Sequence, residues 1–379
     1  MVTYPEDWTP MQLKDLGYIQ MCRRIFQSQT KAYGAIPFYK ISTFGGKADA
    51  YISQELYEQY KALYPYPEKG DVLISAAGTV GKTVIFDGKD SYFQDSNIVW
   101  LKVDKNAIDR KFLWWFYRSY PWEALEGTTI QRLYNSIILK TEIHLPDKPE
   151  QEEIVRTLSQ FDTYIDDLAE LIEKKRGIRD GALEDLMVGR TRIAGYCGER
   201  KEYTISDITR TVITGGTPST ARQEYYGGNI PWLSSTEIHQ KRIKKPTTYI
   251  TDLGLQNSSA KIAPERSVLI ALAGQGKTRG TAAYLTRPMA LNQSLAALVT
   301  NEKCNPEFLY YLIESMYLSL RELSSGDGGR GGLNKKLIKG VTVTIPVDVA
   351  EQETIADTLT VMDEEIEALE IERDKIIQI

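Results

Sequence analysis

Residues 149–187 read PEQEEIVRTLSQFDTYIDDLAELIEKKRGIRDGALEDLM, and this stretch decides the architecture. Ile154, Leu158, Phe161, Ile165, Leu168 and Ile172 recur at spacings of 4, 3, 4, 3 and 4. A period near 3.5 is the pattern of a helix packed lengthwise on another helix. Pro149 precedes the first turn, and Glu150, Glu152 and Glu153 stand in it, where the helix dipole favours negative charge. At about 1.5 Å per residue the stretch makes a rod on the order of 57 Å. Its single apolar stripe needs a partner.

That partner is expected at the end of the same chain. Ile355, Leu359, Met362, Ile366 and Leu369 repeat the spacing 201 positions on, with Ile376 matching Lys175. The flanks repeat as well. Gln151-Glu152-Glu153-Ile154 becomes Gln352-Glu353-Thr354-Ile355, and Ile143-His144-Leu145-Pro146 becomes Val343-Thr344-Ile345-Pro346. Two unrelated amphipathic helices have no reason to share flanks at offsets of 200 and 201. The seam is imperfect: Lys175 and Arg179 interrupt the first copy, and Gly177 and Gly181 are expected to weaken its far end by about 1 kcal/mol each relative to Ala.

Outward from the helices, the repeat continues. Ile36-Pro37-Phe38-Tyr39 parallels Ile230-Pro231-Trp232-Leu233, Asp71-Val72-Leu73-Ile74 parallels Ser267-Val268-Leu269-Ile270, and Phe112-Leu113-Trp114-Trp115 parallels Phe308-Leu309-Tyr310-Tyr311. Gly81-Lys82-Thr83 parallels Gly276-Lys277-Thr278. Asp71–Ser75, Val84–Phe86 and Ile98–Val103 read as strands, and Asp109–Tyr120 as an aromatic core helix. The fold class is α+β: two related globular units separated by two long antiparallel helices that form a coiled-coil spacer, with a pseudo-two-fold internal repeat. The expected boundaries are 1–148 for the first unit, 149–189 for the central helix, 190–199 for a linker, 200–346 for the second unit and 347–379 for the last helix.

Composition narrows the function. No apolar run approaches the roughly 18 residues of a membrane span, and no signal peptide opens the chain, so a cytoplasmic compartment is expected. Cys22, Cys197 and Cys304 are scattered, and the chain has only two histidines, His144 and His239. Neither a disulfide framework nor a zinc site is expected. The net charge of −5 is uneven: residues 150–190 carry −5 and residues 346–379 carry −9, which leaves +9 on the rest. The helices hold the acid and the globular units are basic, as a nucleic-acid-binding surface requires.

Few residues offer catalysis. Residues 76–83 and 271–278 approach the phosphate-binding loop G-x-x-x-x-G-K-[ST], but its first glycine is alanine in both, and strand-like sequence follows where a helix must begin. A glycine-rich turn between strands suits close approach to DNA instead. Asn305-Pro306-Glu307-Phe308 reads as a helix start rather than a methyltransferase loop. A binding protein is favoured; a coiled-coil scaffold without DNA reading and an NTPase using the Gly-Lys-Thr turns are the alternatives. The candidate DNA-contacting residues of the first unit are Arg23, Arg24, Lys40, Ser42, Gly78, Thr79, Gly81, Lys82, Thr83, Gln131 and Arg132. Those of the second are Ser234, Ser235, Gly274, Gln275, Lys277, Thr278, Arg279, Asn292, Gln293 and Arg330. Thr214-Gly215-Gly216-Thr217-Pro218-Ser219 opens the second unit as a turn-rich loop where the first uses Arg23, Arg24 and Gln27.

The duplicated order resembles the specificity subunit of a type I restriction-modification enzyme. The motifs that carry the resemblance are Gly215-Gly216-Thr217-Pro218 followed by Ile230-Pro231-Trp232, the Gly-Lys-Thr turns, Leu333 through Ile345-Pro346, and Glu351-Gln352-Glu353-Thr354-Ile355. It covers nearly the whole chain. The resemblance implies a non-catalytic chain in which each globular unit is a target-recognition domain. Each domain reads one half of a bipartite, asymmetric site in double-stranded DNA, and the helices set the unread gap. It implies two methyltransferase subunits as partners, joined by translocase/nuclease subunits, with no cofactor on this chain, because the methyl donor and ATP belong to the partners. The last helix has nothing matching Asp180–Arg192 of the first; either the chain is shortened there or pairing with the N-terminal segment completes it.

Overall fold

The computed structural model describes residues 4–122, 132–274, 277–323 and 332–378. The chain divides into two compact units, Met1–Tyr164 and Ile165–Ile379. The spacer helix is continuous over Lys148–Val188.

Among its described residues the first unit is built from three sheets. Thr9–Gln12 pairs with Glu142–Leu145. A four-stranded antiparallel sheet runs in the spatial order Gly17–Gln20, Ile98–Val103, Val72–Ser75, Thr83–Ile85. A three-stranded sheet places Ile36–Tyr39 between Ala50–Ile52 and Tyr92–Phe93. Central strands read as unbroken apolar runs because both faces are covered: Val72–Ser75 is buried throughout. The aromatic helix Arg110–Ser119 starts where the Asp109 side chain accepts from the Lys111 and Phe112 amides.

The second unit repeats this plan. Arg200–Thr204 pairs with Thr342–Pro346. Thr209–Thr214, Leu295–Thr300, Val268–Ala271 and Ala282–Leu285 follow one another across a sheet in the same order, extended by Arg242–Ile243. Thr248–Ile250, Tyr226–Leu233 and Met289–Leu291 match the three-stranded sheet, extended by Lys261–Ala263. Asn305 caps Pro306–Ser315 as Asp109 caps its counterpart. Gly215 and Gly216 are required by packing: an added Cβ would sit 1.7 Å from the Leu291 carbonyl oxygen at one and 2.0 Å from Ser259 Oγ at the other.

Each long helix is anchored in its own unit by one buried amide. Gln151 Oε1 accepts from the Asp109 amide (2.8 Å), and Nε2 donates to the carbonyls of Pro146 (3.0 Å) and Ala107 (3.3 Å). Gln352 accepts from the Asn305 amide (2.8 Å) and donates to Pro346 (2.8 Å) and Lys303 (3.0 Å). The repeated glutamine is therefore a lock between helix start, strand end and aromatic-helix cap.

The helix seam differs from the expected one. Within the second unit the terminal helix, Val349–Ile377, runs antiparallel to the C-terminal part of the spacer helix: Arg176 meets Glu370, Arg179 meets Asp363, and Leu183, Leu186 and Met187 share a core with Ile355, Ala356 and Leu359, against which Met362 packs. In antiparallel packing the beginning of one helix opposes the end of the other, so within the second unit Ile355 shares its core with Leu183, Leu186 and Met187. Ile154 packs on the first unit's core, Leu158 and Ile165 are half-buried, and Phe161 is 40% exposed. Leu168, Ile172 and Ile366 are buried and Leu369 is half-buried. The far end, expected to be weak, is buried in the second unit's core through Leu183, Leu186 and Met187. Arg179 is not an interruption: its guanidinium is buried between Glu314 (2.5 Å) and Asp363 (3.0 Å). Burial disfavours its charge, but Glu314 and Asp363 outweigh that and raise its pKa above the ordinary arginine value.

Candidate nucleic-acid interface

In the first unit, Arg24, Lys40 and Arg132 line one cavity of about 810 Å³ together with Gln27, Lys31 and Gln94. Arg24 Nε donates to Asp95 (2.9 Å), and Lys40 Nζ pairs with Asp49 (2.8 Å). Gln94 Oε1 accepts from the Ile41 amide (2.9 Å) and so holds the Lys40–Ile41 corner at the cavity edge. A second, adjoining cavity is lined by Arg23, Arg24, Phe26 and Tyr64, with the Arg23 guanidinium 5.2 Å from the Tyr64 ring centre. Cys22 lines it too, but burial pushes its thiol up to about 12, which removes it as a nucleophile.

The Gly-Lys-Thr turn lies beside this face. Gly78 comes close enough to Ile41 that an added Cβ would lie 3.3 Å from its Cγ1, and one on Gly45 would lie 2.9 Å from Lys82 Cε. Gly78, Thr79, Lys82 and Ser42 are exposed. Ser75 braces the turn: its hydroxyl donates to the Thr79 carbonyl and accepts from the Lys82 amide (2.9 Å). Two of the candidates are structural. Gly81, at φ +83°, is forced by Trp122, whose Cδ1 an added Cβ would meet at 2.5 Å. Thr83 is a half-buried strand residue opposite Ile74. The turn joins two antiparallel strands, so it cannot form a phosphate-binding loop, which needs a helix at that point.

The two Gly-Lys-Thr triplets are not structural equivalents. Strand register matches Thr83 with Ala282, since these oppose Ile74 and Ile270. Gly81 thus corresponds to Gly280: both have φ +83°, and each donates its amide to the carbonyl of the preceding strand's last residue, Ser75 or Ala271. The second turn is longer, and its lysine lies further from the strand. Lys277 is exposed, and its carbonyl accepts from Tyr317 OH (2.9 Å) and Thr281 Oγ1 (2.9 Å). Thr278 Oγ1 is 3.2 Å from His239 Nε2. Arg279 is half-buried. Gly274, at φ +141°, folds back so that an added Cβ would lie 2.7 Å from Thr278 Cβ.

Other second-unit candidates are occupied by the fold. Ser234 caps a short 3-10 turn, Ser235–Gln240, and its hydroxyl donates to Glu237 (2.8 Å); Ser235 is half-buried at the start of that turn. Burial of Glu237 opposes its ionisation, but donors from Thr247, Ser234 and Thr236 overcome this and hold its carboxyl below the ordinary range. Asn292 is buried, with Oδ1 accepting from the Ser294 amide (2.9 Å). Gln293 is exposed and accepts from Thr217 Oγ1 (2.7 Å), which links it to the Gly-Gly-Thr-Pro loop. Gln131, Gln275 and Arg330 lie outside the described residues. Sequence reasoning missed Lys31, which enters the cavity because it exchanges two backbone hydrogen bonds of 2.9 Å with Tyr51. That pairing left no local pattern.

A family model described as "Type I restriction modification DNA specificity domain" matches residues 5–175 and again 198–378. A putative type I restriction enzyme specificity subunit of Haemophilus influenzae is 52% identical over 160 residues, 42% of this chain and 42% of the relative. The EcoR124I/EcoR124II specificity subunit of Escherichia coli is 25% identical over 269 residues, 69% of this chain and 65% of that one. The chain thus spans less than two thirds of the length of either relative. The crystal structure of a type I restriction-modification S subunit from M. genitalium aligns with a TM-score of 0.61 at 18% identity, covering 99% of this chain and 95% of that chain; this likeness is one of fold.

Proposed function

The chain belongs to the family of type I restriction-modification DNA specificity domains, and from that premise we propose that it is the sequence-reading subunit of such a complex, binding a bipartite, asymmetric site in double-stranded DNA. The observation that carries the reading is the duplicated sheet plan with unlike surfaces. One unit offers a cavity with Arg24, Lys31, Lys40 and Arg132, and the other a longer turn with Lys277 and a Gly-Gly-Thr-Pro loop tied to Gln293. Two related but dissimilar readers in one chain suit a split, non-palindromic target. Arginine and lysine supply phosphate contacts and guanine readout, and glutamine can read adenine.

The chain itself performs no chemistry in this proposal. Methyltransferase subunits, two of them, and translocase/nuclease subunits dock on it and hold the methyl donor and ATP; the long helices set the unread gap. Among the described residues no helix is long and apolar enough to cross a membrane, which accords with a cytoplasmic site of action. The test is selection from a randomised duplex library by the full chain. Two short specified blocks separated by unspecified positions are expected. Retention without enrichment, or one contiguous block, would refute the reading.

A further inference from the structure

Exposed aromatic rings are distributed unevenly. Among the described residues, every exposed large apolar side chain of the second unit is aliphatic, whereas the first unit exposes eight aromatic rings, those of Tyr4, Tyr18, Phe26, Tyr33, Tyr64, Tyr134, Phe161 and Tyr164. Four of them stand in or next to segments that line the cavities of the basic face. Phe26 and Tyr64 line the cavity shared with Arg23 and Arg24, and Tyr134 lines one shared with Arg132, whose guanidinium is 5.9 Å from its ring centre. Tyr33 follows Ala32, which lines the central cavity beside Lys31.

Two of these rings are held outward by the backbone. Phe26 is 60% exposed and Tyr33 81%. The Phe26 amide donates to Gln29 Oε1 (2.9 Å), and the Phe26 carbonyl accepts from the Gln29 amide (2.9 Å). Lys31 is fixed to Tyr51 by its two backbone bonds. Gly34 passes Tyr51 so closely that an added Cβ would lie 2.9 Å from the Tyr51 Cβ. The segment is therefore ordered before a ligand arrives, and little conformational freedom remains to be lost on binding. A preformed apolar ring flanked by guanidinium groups suits a partner that is flat, apolar and anionic at its edge. In duplex DNA this is a base face, reached when a side chain wedges into a base step beside the phosphates.

Resting on the DNA-reading function proposed above, we infer that the first unit inserts Phe26 and Tyr33 into its half-site and unstacks a base step there, while the second unit reads its half without unstacking. The two halves then differ in mechanism, one sensing how easily a step opens and the other reading groups in a closed duplex.

The experiment uses the full chain and duplexes carrying 2-aminopurine at successive positions of both half-sites, with mobility shifts run in parallel. A several-fold rise in fluorescence is expected at one step of the first half-site, and none in the second. Phe26→Ala or Tyr33→Ala should abolish the rise and weaken binding about tenfold. The salt dependence should not change, because no phosphate contact is lost. Tyr33→Phe, which keeps the ring, should restore the rise. Specific binding with no rise at any position of the first half-site overturns the inference and leaves DNA reading intact, as does a rise that survives both alanine variants. An equal rise in the second half-site overturns the asymmetry. Absence of any sequence-specific binding overturns the DNA reading and this inference together.

Discussion

Replacing Gln352 by alanine removes three hydrogen bonds from a site with no solvent access. The Asn305 amide loses its acceptor at 2.8 Å, and the carbonyls of Pro346 and Lys303 lose a donor at 2.8 and 3.0 Å. A stranded buried amide costs about 1–3 kcal/mol. Each carbonyl costs less, because water entering the space left by the side chain can serve both. A total of about 3 kcal/mol follows, or a fall of roughly 6–12 °C in the unfolding midpoint of a unit this size. Calorimetry of the full chain, with hydrogen exchange reporting on the peptides around 303–308 and 342–352, measures it. The second-unit transition should fall and the first-unit transition stay. Gln352→Met, which keeps the volume and loses the same bonds, should fall about as far; this separates the hydrogen bonds from the cavity. Gln151→Ala should produce the mirror result in the first unit. A shift below about 2 °C in both Gln352 variants would show that the repeated glutamine is not a lock.

The remaining predictions concern the turns, the helix pair and one surface cluster. Lys82→Ala and Lys277→Ala should each weaken binding to all sequences and lower the slope of log affinity against log salt by about 1; unchanged slopes in both would remove these turns from the interface. Arg179→Met leaves Glu314 without its cation and Asp363 with only Lys241 at 3.7 Å, and should cost the second unit about 3 kcal/mol in denaturant unfolding, with part recovered by adding Glu314→Gln. Gly177→Ala and Gly181→Ala meet open space in a helix and should each stabilise by about 1 kcal/mol; a loss in either would reveal a contact at that face. Hydrogen bonds from Lys102 and Arg110 hold the Glu68 carboxyl down at about 2. A depressed folded-state value contributes stability above the unfolded carboxylate range, and that contribution is lost as pH falls toward 2. Denaturant midpoints of the first unit between pH 5 and pH 2 should flatten in Glu68→Gln; an unaltered profile would show that the cluster carries no folding energy.

What could be read from residues alone was whatever leaves a local period or a repeated order. The long helices, the strands at Val72–Ser75 and Ile98–Val103, the helix start at Asn305-Pro306 and the division into two related units all announce themselves through apolar spacing, caps and duplicated motifs. Their likeness to a known family rested on that order. What tertiary structure decided was every relation between distant segments. Spacing of Ile154–Ile172 says that a stripe exists but not which stretch of another helix opposes it; antiparallel packing gives that place to Leu183–Met187. The Gly-Lys-Thr triplets look equivalent in sequence, yet strand register separates them by the longer second turn. Arg179 reads as a flaw in a seam until Glu314, 135 residues away, is seen beside it. The cavity of Arg24, Lys40 and Arg132 exists because sheet pairing gathers residues that no local pattern connects. Periodicity is a property of one element, whereas a site is a property of how elements meet.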